Sequence, residues 1–173
     1  ARGVQLASTL GDGPTHARAR GLEIDIDEVP RSVSAPAATR VRARIADASF
    51  DVLAEFPEGH ERLAVVVPWS STRFQYTVKD VARPASGTLT IEGRSFDVPA
   101  GESWGVLDHG RGRWPYDATW NWGAGSGTSG GRVIGIQVGG RWTAGTGSTE
   151  NAVLIEDRLH YLPEELVWEY TLE

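Results

Sequence analysis

Short stretches of alternating apolar and polar residues dominate the sequence, and they constrain its fold most strongly. Residues 22–27 alternate between aliphatic and acidic side chains, and residues 41–45 alternate with arginines at the polar positions. A period of two places the apolar side chains on one face of a β-strand. No window repeats its apolar residues with the 3.6-residue period of a helix. The pattern therefore predicts an all-β protein.

Further strand candidates follow along the chain. Residues 63–67 form a continuous apolar run, which predicts a central strand buried on both faces. Residues 88–91 and 94–98 flank the pair Glu92-Gly93, which suits a tight hairpin turn. Single strands are predicted at residues 74–79 and 132–138. A second hairpin is predicted to join residues 152–155 to residues 159–162 across residues 156–158, and a C-terminal strand is predicted at residues 166–170.

Twenty-one glycines and nine prolines separate these strands. Short strands at this spacing indicate an antiparallel sandwich or barrel. We favour a barrel, because closure removes exposed edges and only one lysine is present to protect them. Residues 123–131, made of Gly, Ser, Thr and Ala, predict a mobile loop.

Size and composition limit the function. A length of 173 residues suits one domain, residues 1–173, and a net charge of −6 argues against nucleic acid as the main partner. The sequence has no cysteine, and its four histidines are widely spaced, so we predict no metal and no cofactor. No apolar run is long enough to span a membrane. No signal peptide is visible, and we expect a cytoplasmic protein.

Residues 102–122 carry the strongest functional signal. They contain four of the seven tryptophans, together with a tyrosine, an Asp-His pair and two arginines. Large aromatic side chains beside a few ionisable groups are typical of a pocket that holds an apolar molecule. We expect the indoles of this segment to line such a pocket, with ordinary core packing as the alternative for each: Trp104, Trp114, Trp120 and Trp122.

The pair Asp108 and His109 supplies the leading catalytic candidates. Neighbours on a strand point to opposite faces, so only one of the two faces a pocket unless the adjacent glycines bend the backbone. Apolar surroundings would raise the pKa of Asp108 and make it a general acid, with His109 or Tyr116 as its partner. Alternatively, Asp108 pairs with Arg111 or Arg113, or accepts backbone N–H bonds in a turn.

Other polar residues extend this prediction. Arg111 and Arg113 alternate with glycine and would bind the acidic head group of a ligand, or else bridge surface carboxylates. Tyr116 would donate a hydrogen bond into the pocket or lie at its rim. Glu150 and Asn151 would form a second polar group near the pocket, or a turn in which Asn151 bonds its own backbone.

Several strings of residues resemble known families. The string Ser-Gly-Thr-Leu-Thr-Ile-Glu-Gly at residues 86–93, followed by residues 103–105 and Asp108-His109, resembles the lipocalin-like group that includes bacterial carotenoid hydratases. Within that group, the second half of the chain resembles the domain-of-unknown-function family 2804. The strings that carry this second resemblance are residues 108–116, 120–122, 139–143, 145–147, 149–151 and 166–170.

The resemblance implies a calycin-type β-barrel with an apolar ligand in or near its mouth. It implies no known reaction for family 2804. The related hydratases protonate a polyene and add water, using an acidic residue beside aromatic side chains. They carry a tryptophan two residues after the Asp-His pair, where this chain has Gly110-Arg111. Family members have an additional N-terminal part, so the chain is expected to be a whole barrel or the C-terminal part of a two-barrel protein.

Two main functions follow from these observations, and the sequence does not decide whether the protein is an enzyme. The first is the binding of an apolar or isoprenoid-like small molecule in an aromatic-lined pocket. The second is a cofactor-independent lyase or isomerase, similar to a hydratase or cyclase, with Asp108 as its general acid. A third alternative is a structural module whose aromatic segment docks another domain. A second barrel domain or a second copy of the chain is the expected protein partner.

Overall fold

A computed structural model describes residues 15–19 and 21–169. This part of the chain contains twelve β-strands and no helix. Every strand pairing with an assigned register is antiparallel, which confirms the predicted fold class and is consistent with an incomplete lipocalin-like barrel. The strands are β1 (Thr15–Ala19), β2 (Leu22–Val29), β3 (Ala37–Ile45), β4 (Ala48–Phe56), β5 (Leu63–Pro68), β6 (Phe74–Ile91), β7 (Arg94–Val98), β8 (Trp104–Gly112), β9 (Asn121–Ser129), β10 (Arg132–Gly140), β11 (Asn151–Ile155) and β12 (Arg158–Leu162).

The chain divides into two compact units, and the first comprises Ala1–Glu58 and Pro84–Ser103. Its strands pair in the order β1-β2-β3-β4-β6-β7. Cross-strand partners share a face, so the acidic residues of β2 lie opposite the arginines of β3. Arg42 donates a hydrogen bond of 2.6 Å to Asp27, and Arg40 contacts both carboxylate oxygens of Asp51 at 2.8 and 2.6 Å. The alternation in β2 and β3 thus forms a polar sheet face.

The second unit comprises Gly59–Arg83 and Trp104–Glu173. Strand β6 pairs with β5 and β8, and a four-stranded sheet has the order β12-β11-β10-β9. Its apolar core is small. The core consists of three buried residues with three partly buried ones packed against them: Val81, Ala82 and Leu154, with Trp104, Val133 and Leu159.

The first part of β6 buries its polar side chains. The exposed fraction is 9% for Gln75, 2% for Thr77 and 6% for Lys79. By contrast, Phe74, the first residue of the strand, is 46% exposed. The interior of the second unit is therefore polar along this strand and apolar further on, at Val81 and Ala82. A buried lysine requires partners, because an isolated charge away from water is very costly.

In the second unit, glycines allow neighbouring strands to lie close to β6. A Cβ at Gly135 would lie 2.7 Å from a methyl carbon of Val81, and a Cβ at Gly112 would lie 2.0 Å from the carbonyl oxygen of Phe74. These glycines let β10 and β8 approach β6. Strand β8 runs without a break from Trp104 to Gly112, and neighbours in a strand such as Asp108 and His109 point to opposite faces.

Both predicted hairpins are confirmed. Glu92 and Gly93 adopt positive φ angles of 50° and 75° between β6 and β7, as a two-residue turn of this hand requires. In the second hairpin the turn is shorter than predicted. Arg158 already belongs to β12, and Glu156 takes the positive φ of 55°.

The predicted loop at residues 123–131 is wrong. Residues 121–129 form β9, which pairs along its whole length with β10. The turn is confined to Gly130 and Gly131, with φ angles of 58° and 76°. Glycine and serine carry little side-chain pattern, so local periodicity does not indicate that this backbone pairs with a neighbouring strand.

Two other strand predictions are corrected. Strand β5 lies at the end of the described strand order, and its exposure alternates, with Val66 53% exposed. It is therefore not buried on both faces, because alternate side chains of the strand are exposed. Residues 166–169 are not in a strand, and residue 170 lies outside the described residues.

Candidate functional site

Four tryptophans of the second unit contact one another, and we call them the indole cluster: Trp69, Trp114, Trp120 and Trp142. The Trp114 ring stacks on Trp142 with their centroids 5.3 Å apart and lies 5.0 Å from Trp69. Trp120 meets Trp114 edge-on at 6.2 Å. The cluster is built by three connections, β5–β6, β8–β9 and β10–β11. Such offset and edge-on pairs are the favoured geometries of aromatic rings.

The cluster is fixed by hydrogen bonds from its ring nitrogens. Trp69 Nε1 donates to the carbonyl oxygen of Trp142 at 2.8 Å, and Trp114 Nε1 donates to Gln75 Oε1 at 2.8 Å. Trp142 is 7% exposed, whereas Trp120 is 60% exposed. The ring nitrogens of Trp69 and Trp114 thus have partners within the protein. Because Trp120 is largely exposed, the cluster offers aromatic surface to solvent at that residue.

A buried ion cluster adjoins the indole cluster, and it consists of Lys79, Asp108 and Glu150. Lys79 Nζ lies 2.7 Å from Asp108 Oδ1 and 3.0 Å from Glu150 Oε2. The side chains of Lys79 and Glu150 are 7% and 2% exposed, and that of Asp108 is 45% exposed. Trp142 Nε1 donates to Glu150 Oε1 at 2.5 Å, which links the two clusters directly.

Trp122 and Gln137 complete the surroundings of the ion cluster. Lys79 Nζ lies 5.3 Å from the centroid of the Trp122 ring, within the range of a cation–π contact. Trp122 Nε1 donates to Gln137 Oε1 at 2.7 Å, and Gln137 Nε2 donates to the carbonyl oxygen of Glu150 at 2.5 Å. One network of side chains therefore fixes the lysine from several sides.

Burial raises the pKa of Glu150 above its ordinary value, because desolvation disfavours the carboxylate. Lys79 and the hydrogen bond from Trp142 act in the opposite direction, and the effect of burial is the larger. Glu150 thus accepts a proton more readily than a carboxylate in water does. The arrangement combines a cation with a carboxyl group that can hold a proton.

Asn151 and Glu150 occupy neighbouring buried positions where β11 begins. Asn151 Oδ1 accepts a hydrogen bond of 2.7 Å from the backbone nitrogen of Gly139, and its Nδ2 donates to the carbonyl oxygen of Glu164 at 3.1 Å. These bonds run to other segments of the chain. They fix the start of β11 against β10 and so position Glu150.

The structure separates the four predicted indoles. Trp114 and Trp120 join the indole cluster, and Trp122 lies over Lys79. Trp104 packs against the apolar core instead. Trp120 precedes β9, which begins at Asn121, so the two tryptophans at 120 and 122 have different neighbours.

The other predicted site residues lie outside the ion cluster. Tyr116 is 98% exposed, and the Arg73 guanidinium lies 6.0 Å from its ring centroid. Arg111 lies 6.0 Å from the ring centroid of Tyr76. The exposed Arg113 donates its backbone N–H to the carbonyl oxygen of Phe74 at 2.8 Å. His109 is partly buried, and its carbonyl oxygen accepts a hydrogen bond from Thr77 Oγ1 at 3.4 Å.

Sequence reasoning missed several residues of the site: Lys79, Gln137, Trp69 and Trp142. Lys79 offered a signal, because it is the sole lysine beside sixteen arginines. The other three carry no local pattern that separates a site residue from a core or surface residue.

A concavity of about 330 Å³ lies in the first unit, away from these residues. Its lining is polar and includes Glu23, Asp25, Arg42, Asp51 and Thr88. Several of these charges are already paired across strands, as Arg42 is with Asp27. This groove does not offer the apolar surface that the indole cluster offers.

The described ranges contain no group of three or more His, Asp or Glu side chains arranged to hold a metal ion. Within the same ranges, no helix has the length and apolar character needed to cross a membrane.

Comparison with protein families identifies the chain. The family model described as a domain of unknown function (DUF2804) matches residues 1–173. The chain belongs to the DUF2804 family. This confirms the family predicted from the strings in its second half. Neither the curated proteins nor the solved structures contain a significant match to this DUF2804 protein.

Proposed function

We propose that this DUF2804 protein binds an apolar or isoprenoid-like small molecule on its indole cluster. The observation that carries the proposal is the contact among four indoles, with Trp120 60% exposed at the edge of the group. Aromatic faces provide large apolar contact area with little loss of side-chain entropy. An exposed indole whose neighbours are already ordered is a favourable place for such a ligand.

The ion cluster supplies a polar end to the same site. Trp142 contacts both groups, since its ring stacks on Trp114 and its Nε1 bonds Glu150. A ligand on the indoles would therefore present its polar end towards Lys79 and Asp108. Arg111 and Arg113, both exposed, remain the proposed contacts for an acidic head group.

Replacement of Trp120 tests this proposal. We expect Trp120→Ala to raise the Kd for retinol about 5- to 10-fold, because an aromatic contact contributes about 1 kcal/mol beyond simple area burial. The affinity is measured from quenching of the remaining tryptophans.

Phe96→Ala provides the matched control. Phe96 is 42% exposed and belongs to the first unit, so its loss should leave the Kd unchanged. Equal affinities of the wild type and Trp120→Ala for retinol, or no quenching at any concentration, would exclude binding at the indole cluster.

A second candidate function is a lyase or isomerase reaction with Asp108 as general acid. It is favoured by the half-exposed carboxyl group of Asp108 at the end of a buried ion cluster whose other carboxyl group, on Glu150, has a raised pKa. The indoles would stabilise a developing carbocation.

The change Asp108→Asn separates the two functions. A binding protein should retain its affinity for retinol within about twofold, since the amide preserves the shape of the side chain. An enzyme should bind the same polyene but lose hydration or isomerisation, followed by chromatography of the products. Wild-type protein that leaves a panel of polyenes unchanged would argue against the enzyme.

A further inference from the structure

The single lysine of the chain occupies an interior position. Sixteen arginines supply the other fixed positive charges of the sequence. An arginine stays protonated in proteins, whereas a buried lysine amine can lose its proton and act as a nucleophile. The chain therefore has an amine side chain at one place only, and there it is 7% exposed.

We propose that Lys79 binds a carbonyl-bearing apolar ligand, an aldehyde or a ketone, as a protonated imine. This inference rests on the proposed function, because the indole cluster would hold the apolar part of the same molecule. It narrows the ligand class from apolar molecules in general to those with a reactive carbonyl group at one end.

The groups around Lys79 Nζ suit such an imine. Asp108 Oδ1 lies 2.7 Å away, Glu150 Oε2 lies 3.0 Å away and the Trp122 ring centroid lies 5.3 Å away. A protonated imine carries one positive charge on nitrogen, as the ammonium group does. The two carboxylates and the indole face would therefore stabilise the product as they stabilise the free lysine.

Glu150 provides the base that imine formation requires. The ammonium group must lose a proton before its nitrogen can attack a carbonyl carbon. Glu150 is in direct contact with Lys79, and its side chain is 2% exposed, so water competes little for that proton. The carboxyl group of Asp108 also lies beside the nitrogen, at 2.7 Å.

The reaction balances without an oxidant or a reductant. Lys79 gives one proton to Glu150, and the free amine forms a C–N bond to the carbonyl carbon. The carbonyl oxygen takes two protons, one from the nitrogen and one from Glu150, and leaves as water. The remaining hydrogen on nitrogen makes the imine cationic, so aldehyde plus ammonium gives protonated imine plus water.

A ligand would reach the nitrogen past two half-exposed side chains. The Asp108 side chain is 45% exposed and Trp122 is 40% exposed, whereas the Glu150 side chain is 2% exposed. The carbonyl would thus arrive past Asp108 and Trp122, and the base that takes the proton would be a buried group.

Retinal and retinol test the inference as a matched pair, since they differ in the aldehyde group. The whole chain is incubated with each compound at neutral pH and treated with cyanoborohydride. The sites of addition are then located by peptide mass spectrometry. We expect retinal to add to Lys79 and retinol to add nowhere. Without a specific site, retinal would react first with the α-amino group of the chain, because the pKa of that group is about 2 to 3 units below that of a lysine and more of it is unprotonated at neutral pH.

Two controls keep the result interpretable. In urea the preference for Lys79 should disappear, because the amine then has no ordered neighbours. Lys79→Arg keeps the positive charge and should lose the internal adduct. Mapping of the wild-type adduct decides the question even if that variant does not fold.

The contrary outcomes are distinct. An adduct confined to the α-amino group, with retinol and retinal quenching the tryptophans equally, would overturn the role of Lys79 and leave the proposed binding function intact. Absence of quenching by both compounds would overturn the binding function and this inference together.

Discussion

Among single residues, those of the ion cluster depend most strongly on their partners. A buried ion pair contributes little net stability, since desolvation offsets the attraction, but loss of one partner is strongly destabilising. Lys79 and Glu150 are both nearly inaccessible, and each is bonded by further groups, Trp122 and Trp142 among them. Their positions depend on neighbours that leave space for them.

Gly139 provides that space, and its replacement gives a prediction. A Cβ at Gly139 would lie 1.8 Å from Glu150 Oε1 and 2.5 Å from Glu150 Cγ. We expect Gly139→Ala to lower the free energy of unfolding by about 1 to 3 kcal/mol, as overpacking of an interior does. Denaturant unfolding followed by tryptophan fluorescence measures the change.

Gly127 in the same hairpin is the control. A Cβ there would meet no atom within 4 Å, so Gly127→Ala should change the stability by less than about 0.5 kcal/mol. Equal stabilities for the two variants would show that Gly139 is not required for close approach.

At the scale of elements, His60 connects three parts of the second unit. It lies in the β4–β5 connection, and its Nε2 is 3.0 Å from Asp80 Oδ1 on β6. Its Nδ1 is 3.2 Å from Asp157 Oδ1 in the β11–β12 turn. The hydrogen bond to Asp80, with help from Asp157, raises the pKa of His60, although burial acts in the opposite direction.

This connection predicts a pH-dependent stability. A histidine with a raised pKa in the folded state stabilises the protein in its protonated form. The contribution of His60 should be complete below its ordinary pKa of 6.5 and should decline as the pH rises through the folded value. The stability difference between the wild type and His60→Gln should therefore shrink with increasing pH, measured by denaturant unfolding at several pH values.

His160→Gln serves as the reference, since His160 is exposed on β12. It controls for the loss of an imidazole at a site without the two carboxylate contacts of His60. A difference between the wild type and His60→Gln that stays constant from acid to alkaline pH would contradict the role of the protonated imidazole.

At the scale of the whole molecule, aromatic chemistry is concentrated in one unit. All seven tryptophans belong to Gly59–Arg83 and Trp104–Glu173, and the first unit has none. Tryptophan fluorescence therefore reports on the unit that contains both clusters. The polar groove of the first unit and the aromatic surface of the second are chemically different, so an apolar ligand should perturb the fluorescent unit.

Local pattern was sufficient to predict the secondary structure of much of the chain. The alternation at residues 22–27 and 41–45, and the pair Glu92-Gly93, identified β2, β3 and the first hairpin. These features depend on neighbouring residues, whose side chains and φ angles fix strand and turn. Strand β9 was not predicted, because its glycines and serines form no such alternating pattern.

Pattern and motifs in the chain are enough to establish an antiparallel β-protein of the DUF2804 family with a tryptophan-rich segment at residues 102–122. The contacts between distant residues follow from the three-dimensional fold: Asp108 pairs with Lys79, Glu150 joins them, and Trp114 packs on Trp69 and Trp142. The physical reason is that these contacts link separate strands and loops. They depend on strand pairing and on the close approach that glycines permit, neither of which is visible in local periodicity.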